Sequence, residues 1–294
     1  MFINIFCVIL FIIIGIIIFC NLVYNSNESI EQLSQEKIES VKYNSNTVVT
    51  GRTGKIFYVS QNGNDSNDGL SENTAWKTLS KVTTSFGART ITNRDTILFK
   101  RGDKFRGTIT VNAHDILIGS YGDENKPKPQ ISVSPYNGAT QGEWQEVKTN
   151  IWKYTVNGQD PFINDVGVIW CYSDSNNLSN TMQNLSGSFE YGQKITTNNN
   201  VDDSQLNLSD ILKNDLEFYQ FGHASARSAT GGALYLCSTS NPKNRFSDIE
   251  FNISKHGIAF DGCTNLHVDN VTIKYTGNHG IGGGTVANHL IWCV

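Results

Sequence analysis

"KHGIAFDGCTNLHVDNVTIKYTGNHGIGGG", residues 255–284, contains the triplet His-Gly-Ile twice, at 256–258 and at 279–281. The copies are 23 residues apart. Aligning them sets Asn265 on Asn288 and Val268 on Ile291, and a step of 22 residues back from Val271 and Ile273 reaches Ile249 and Phe251. Short, apolar-alternating strands thus recur every 22 to 23 residues between Gly, Asn and Asp turns. A period in the low twenties with several short strands per repeat is a solenoid signature. The Leu-x-x-Leu-x-Leu frame of a leucine-rich repeat is absent. The strands "GIAF", "LHV" and "VTIKY" fit one coil of a parallel β-helix better. The expected fold class is all-β: a right-handed parallel β-helix with coils of about 22–23 residues.

Outward from this stretch the pattern holds in part. From Lys55, "KIFYVSQNG" reads as strand and turn, and an Asn/Asp/Gly loop leads into a short helix around Trp76 to Val82. Short strands follow in "DTILF", "GTITV", "DILIGSY" and "QISVSP", with alternation in "GTITV" placing Ile109 and Val111 on one face. No long helical period separates them, which disfavours a doubly wound α/β fold. The middle, about Gly138 to Pro242, is less regular. It offers strands in "EWQEVKTNIWKYTV", "DVGVIWCYS" and "GGALYLCSTS", and a short helix in "LSDILKNDLEF".

The chain has 294 residues, 38% hydrophobic and 17% charged, which suffices for a sizeable core in one elongated domain. A net charge of -4 suggests no nucleic-acid surface. Six cysteines include no C-x-x-C pair, so the widely spaced Cys171, Cys237, Cys263 and Cys293 read as small buried hydrophobes rather than a zinc site. Residues 1–20, "MFINIFCVILFIIIGIIIFC", are almost wholly apolar and about long enough to span a bilayer. They read as an uncleaved signal anchor, with a cleaved signal peptide as the alternative, which places the rest at the cell surface or outside the cell. Residues 21–54 turn polar and read as a spacer; residues 55–294 form the β-helix domain. The chain stops at "HLIWCV", partway through a coil, which leads to the expectation of a longer natural protein.

The stretch "FYVSQNGNDSNDGLSENTAWKTLSKV", with "DTILFKRGDKFRGTITV" and "ILIGSYGDENKPKPQISV", resembles the opening of right-handed parallel β-helix proteins of the pectin-lyase-like superfamily. The resemblance covers Lys55 to Pro135 and, less closely, Ala233 to the end. It implies an exported protein acting on polysaccharide, as a uronate lyase or a glycoside hydrolase. The alternatives are a non-catalytic glycan-binding adhesin or stalk, or a truncated inactive homologue; fold alone does not settle function.

Such a lyase needs a base and a group that neutralises the uronate carboxylate, often calcium held by acidic side chains. Lys274, His256 and His279 are the candidate catalytic residues, and Asp261 and Asp269 the candidate substrate-binding ones. A hydrolase would instead need paired carboxylates, for which Asp248 and Glu250 could partner Asp261 or Asp269. His-Gly-Ile also has a plain reading as a loop-to-strand junction, in which Gly permits the turn and Ile points inward. The loop "GNDSNDG" at 63–69 looks like a calcium loop but lacks the terminal bidentate Glu, and no metal ligand is assigned. "GIGGGT" at 280–285 lies between strands, so it is not a nucleotide loop. Expected partners are a polysaccharide and, through the N-terminal helix, a membrane.

Overall fold

Period-two alternation decides which side chains enter the core. The computed structural model describes residues 47, 49–173, 189–195, 207–221, 232–283 and 292–293, all within one compact unit, Asn46–Val294. The signal-anchor reading of residues 1–20 and most of the spacer lie outside these residues. Among the described residues no helix is long and apolar enough to cross a membrane, so the membrane partner has no support here.

Three small sheets are parallel throughout. The first holds β1 (Ile56–Val59), β2 (Thr96–Lys100), β5 (Leu117–Tyr121), β15 (His267–Val268) and β18 (Trp292–Cys293), in that spatial order. In the second, β14 (Ile258–Phe260) lies between β4 (Ile109–Val111) and β17 (Ile281–Gly283). In the third, β6 (Gln130–Ser132) lies between β3 (Lys104–Arg106) and β16 (Thr272–Lys274). Their inward residues share one core, with Phe57, Ile97 and Ile118 from the first sheet, Ile109 and Ile258 from the second, and Phe105 and Ile131 from the third. Ile258 stands opposite Ile281 on adjacent parallel strands, so the His-Gly-Ile echo marks a strand pair.

The other seven strands form one mixed sheet. Its order is β13 (Asp248–Ile253), β9 (Val166–Tyr172), β10 (Phe189–Lys194), β11 (Glu217–Gln220), β12 (Leu234–Cys237), β8 (Ile151–Thr155) and β7 (Glu143–Lys148). Only β10 and β11 pair in parallel; the other five pairings are antiparallel. This sheet has a core of its own, in which Phe251 meets Trp144, Tyr154 and Phe162 at ring-centroid distances of 6.5, 5.0 and 4.8 Å.

This arrangement corrects the expected fold. A right-handed parallel β-helix running from Lys55 to Val294 requires each strand to pair with strands one coil away in sequence. β14 does so on one side only; on the other, Ile258 faces Ile109, 149 residues earlier. The intervening chain enters the mixed sheet for a local reason. Asn150, with φ 61°, reverses the chain between β7 and β8, and so short a connection joins only antiparallel strands. The described residues combine three small parallel sheets with one seven-stranded mixed sheet, not a parallel β-helix of pectin-lyase type. Two smaller differences follow the same logic. The helix expected over "LSDILKNDLEF" is one turn, Leu208–Ile211, because Leu216 turns at φ 65° and Glu217 enters β11. The short helix after the Asn/Asp loop begins later than expected, at Leu79, and runs to Gly87.

Candidate active site

Because Phe105, Ile131 and Ile273 point to the core, their neighbours on the third sheet point away from it. The register then sets Arg106, Ser132 and Lys274 in one row, and Lys104, Gln130 and Thr272 in the next. Neighbouring strands are about 4.8 Å apart, so each row is a line of adjacent side chains. β13 obeys the same alternation. Ile249, Phe251 and Ile253 enter the second core, which leaves Asp248, Glu250 and Asn252 on the opposite face, beside Tyr172 and Trp170 of β9.

The two polar faces meet. Glu250 is 0% exposed and accepts from Arg106 twice, Nη1 to Oε2 at 2.7 Å and Nη2 to Oε1 at 2.8 Å. Lys104 Nζ donates to the same Oε1 at 2.5 Å and stands 5.7 Å from the centre of the Tyr275 ring. Tyr275 follows β16 in a left-handed conformation, φ 60°, and its hydroxyl donates to that of Tyr172 at 3.3 Å. Asn252 Nδ2 donates to the Thr276 carbonyl at 3.3 Å. Within this cluster, Asp248 Oδ1, Asn252 Oδ1 and Ser132 Oγ are buried with no hydrogen-bond partner among the described residues.

Proton affinities diverge within this cluster. Burial pushes the Glu250 carboxyl up, but the hydrogen bonds and charge of Arg106, with those of Lys104, more than offset it and hold Glu250 below its ordinary value. Asp248 is 3% exposed; burial first, then the Glu250 charge and a hydrogen bond to Glu250, raise it to about 6. Burial and the neighbouring Lys104 charge lower the Lys274 ammonium, against the pull of Glu250 and Asp248. Tyr172 and Tyr275 are raised, chiefly by burial. Two carboxyls whose surroundings drive them apart are the arrangement expected of a proton donor beside a fixed anion. They stand two residues apart on one face of β13, and the Glu250 charge acts directly on Asp248. They work as one proton-holding unit.

A stability prediction arises here. The folded protein binds the Asp248 proton more tightly than the unfolded chain does, so Asp248 lowers stability as pH rises from about 4 to about 6 and keeps that penalty above. A shift of this size corresponds to about 3 kcal/mol. Asp248→Asn should remove the penalty, so the variant gains stability over the parent at pH 8 and matches it near pH 4. Urea unfolding across this range checks it; a gain that is the same at both pH values would contradict it.

Of the residues singled out in the sequence, Lys274, Asp248 and Glu250 join the cluster, whereas His256, His279, Asp261 and Asp269 do not. His256 and His279 flank the second sheet, with rings stacked at 5.3 Å and 13°, and His256 Nδ1 accepts the His279 N–H at 3.3 Å. Rings so nearly parallel aim their lone pairs along parallel lines and cannot converge on one metal ion. Asp261 is exposed in the turn after β14, and Asp269 is half-buried after β15. Their N–H groups donate to the Val111 and Ile118 carbonyls, so they hold separate positions along the first core. The "GNDSNDG" loop is occupied with structure. Asp65 Oδ1 accepts from the Lys77 and Thr78 N–H groups and Oδ2 from the Thr78 hydroxyl, which in turn caps the helix. Gly69, at φ 76°, has a Cβ position only 2.6 Å from the Trp76 ring, so glycine is required there. No group of three or more His, Cys, Asp or Glu among the described residues could hold a metal ion. Sequence reasoning missed Lys104, Arg106, Tyr172 and Tyr275. The available signal was "KFR", cation-apolar-cation alternation between two glycine turns.

No family model matches the chain. A curated relative, a lacto-N-biosidase of Bifidobacterium longum subsp. longum, is 24% identical over an alignment that covers 85% of this chain and 17% of that protein. The chain therefore spans about a sixth of that relative's length. Among solved structures, a GH136 lacto-N-biosidase from Eubacterium ramulus shares 18% identity at TM-score 0.31, over 87% of this chain and 23% of that one. A complex of XylC with xylose shares 13% at TM-score 0.43, over 76% and 36%. The curated relative carries the name of a glycosidase, and the seven-stranded mixed sheet of this chain is not that of a pectin-lyase-type β-helix; together these correct the family resemblance. With it goes the uronate-lyase reading, and with the lyase the reason to expect calcium.

Proposed function

We propose that this chain contributes to a glycan-acting glycoside hydrolase in which Asp248 is the proton donor. The observation that carries the proposal is a buried carboxyl, raised to about 6, held against an ionised carboxylate that Arg106 and Lys104 fix in place. In mildly acid solution Asp248 carries a proton. As the bond from the anomeric carbon to the glycosidic oxygen breaks, the electron pair goes to that oxygen and the Asp248 proton follows it. Water then adds to the anomeric carbon, and the proton it loses restores Asp248. Glu250 is a positioning residue, because its charge keeps the proton on Asp248. Trp170 and Tyr172, on the same face of the sheet, offer ring surface to a sugar. Asp248 is 3% exposed, and the Tyr172–Tyr275 contact beside it, at 3.3 Å, is long for a hydroxyl pair and is the one to open. Export on the apolar run of residues 1–20 belongs to the same proposal.

Because the curated relative is a lacto-N-biosidase, a chromogenic lacto-N-bioside is the first substrate, followed by a panel of neutral and acidic glycosides. Asp248→Asn should lower turnover by about a hundredfold with the fold intact. Undiminished activity in that variant, or no cleavage of any glycan by the folded parent, overturns the proposal.

A further inference from the structure

The cations of the cluster outnumber the ionised carboxylates. Lys104 and Arg106 both spend their charge on Glu250. Lys274 remains: a half-buried ammonium that makes no hydrogen bond or ion pair among the described residues. Beside it in the row is Ser132, 0% exposed, whose hydroxyl has no partner among the described residues and can donate. Removing an ammonium from water is costly, and what remains uncompensated here is positive charge with a neighbouring hydroxyl donor.

We propose that Lys274 and Ser132 form a subsite for an oxyanion carried by the sugar, a carboxylate or a sulfate ester, so that the glycan taken is an acidic one. The inference rests on the hydrolase reading and names its substrate class. An oxyanion accepts from the Lys274 ammonium and the Ser132 hydroxyl, while Arg106 in the same row stays on Glu250. The anion also adds negative charge beside Asp248, so binding favours the protonated form of that carboxyl, and affinity rises as pH falls. The other groups facing Asp248 are Glu250 on its own strand, Lys104 and Arg106 on β3, Lys274 on β16, Tyr275 just beyond it, and Tyr172 on β9. Glu250 is held below its ordinary value and the two tyrosines above theirs, which keeps their charges fixed between pH 5 and 7.5, and deprotonating Lys274 would weaken anion binding in the same direction.

The test is calorimetric titration of the full chain with methyl glucuronide, the 6-sulfate of methyl galactoside, and neutral methyl galactoside, at pH 5 and 7.5. At pH 5 at least one acidic sugar should bind at least about tenfold more tightly than the neutral one, and the preference should shrink at pH 7.5. The glucuronide and the sulfate ester show which oxyanion fits. Lys274→Met should bring acidic and neutral sugars within about twofold of each other, while Lys274→Arg, which keeps the charge, should retain the preference. Should Lys274→Met fail to fold, Ser132→Ala gives the second reading and should weaken the acidic sugar selectively. Equal affinity for acidic and neutral sugars overturns the oxyanion subsite and leaves the hydrolase reading standing. A folded protein that binds none of the three overturns both.

Discussion

Arg106→Leu should lower the unfolding free energy by about 3–5 kcal/mol, the cost of leaving a buried charge without its principal partner. Glu250 has no solvent to turn to, being 0% exposed, and Arg106 donates to both of its oxygens, Lys104 to one. Lys104 alone cannot replace a planar fork that matches both carboxylate oxygens. The loss should depend on the partner. In the double variant Arg106→Leu/Glu250→Leu the orphaned charge is gone, and most of the stability should return. A double-mutant cycle by urea unfolding measures the coupling. A single-variant loss below about 1 kcal/mol would mean that Glu250 finds another partner or loses its charge.

Phe251→Ala should cost about 3–5 kcal/mol, from lost burial and from a cavity that its neighbours cannot close. Phe251 is 0% exposed and its ring touches Trp144, Tyr154 and Phe162, which come from three different segments. These aromatic rings are too stiff to fill the gap by changing rotamer. The denaturation midpoint should fall without a change in slope, the sign of altered stability rather than altered cooperativity. Because Phe251 and Glu250 are consecutive and point to opposite faces, the Asp248 stability-versus-pH profile should survive the change. A profile flattened by Phe251→Ala would mean that β13 had shifted as a whole.

Much of the strand content was legible in the sequence. Alternation located β1, β2, β4, β5 and β6, and the repeated His-Gly-Ile triplet located the pairing of β14 with β17. What alternation could not supply was partnership. Ile151–Thr155 reads as a strand in any sheet; only the Asn150 turn sends it back antiparallel, and that turn is one residue long in its signal. A local period of 22 to 23 residues was extended to a stretch that does not share it. The site was less legible still. Lys274 stands out on its strand, but the neighbouring cations Lys104 and Arg106 lie about 170 residues earlier on a three-residue strand. Asp248 and Glu250 were noticed as carboxylates with no spacing to select them. What selects them is the packing of two sheets face to face, which leaves no period in the sequence.

The placement of β14 between β4 and β17 also bears on the order in which the chain can fold. Closing β17 onto β14 spans 23 residues, whereas closing β14 onto β4 spans 149, and the longer loop costs about 2 kcal/mol more in chain entropy. The pairing of β16 with β6 has the same character, joining Lys274 to Ser132 across 142 residues. Non-local parallel contacts of this kind are slow to form. The row that holds Arg106, Ser132 and Lys274 is therefore assembled late, once the mixed sheet has drawn the intervening chain together. Until then, the β3–β6 pair presents an open hydrogen-bonding edge where β16 will dock, a place for another chain to add a strand during refolding at high concentration.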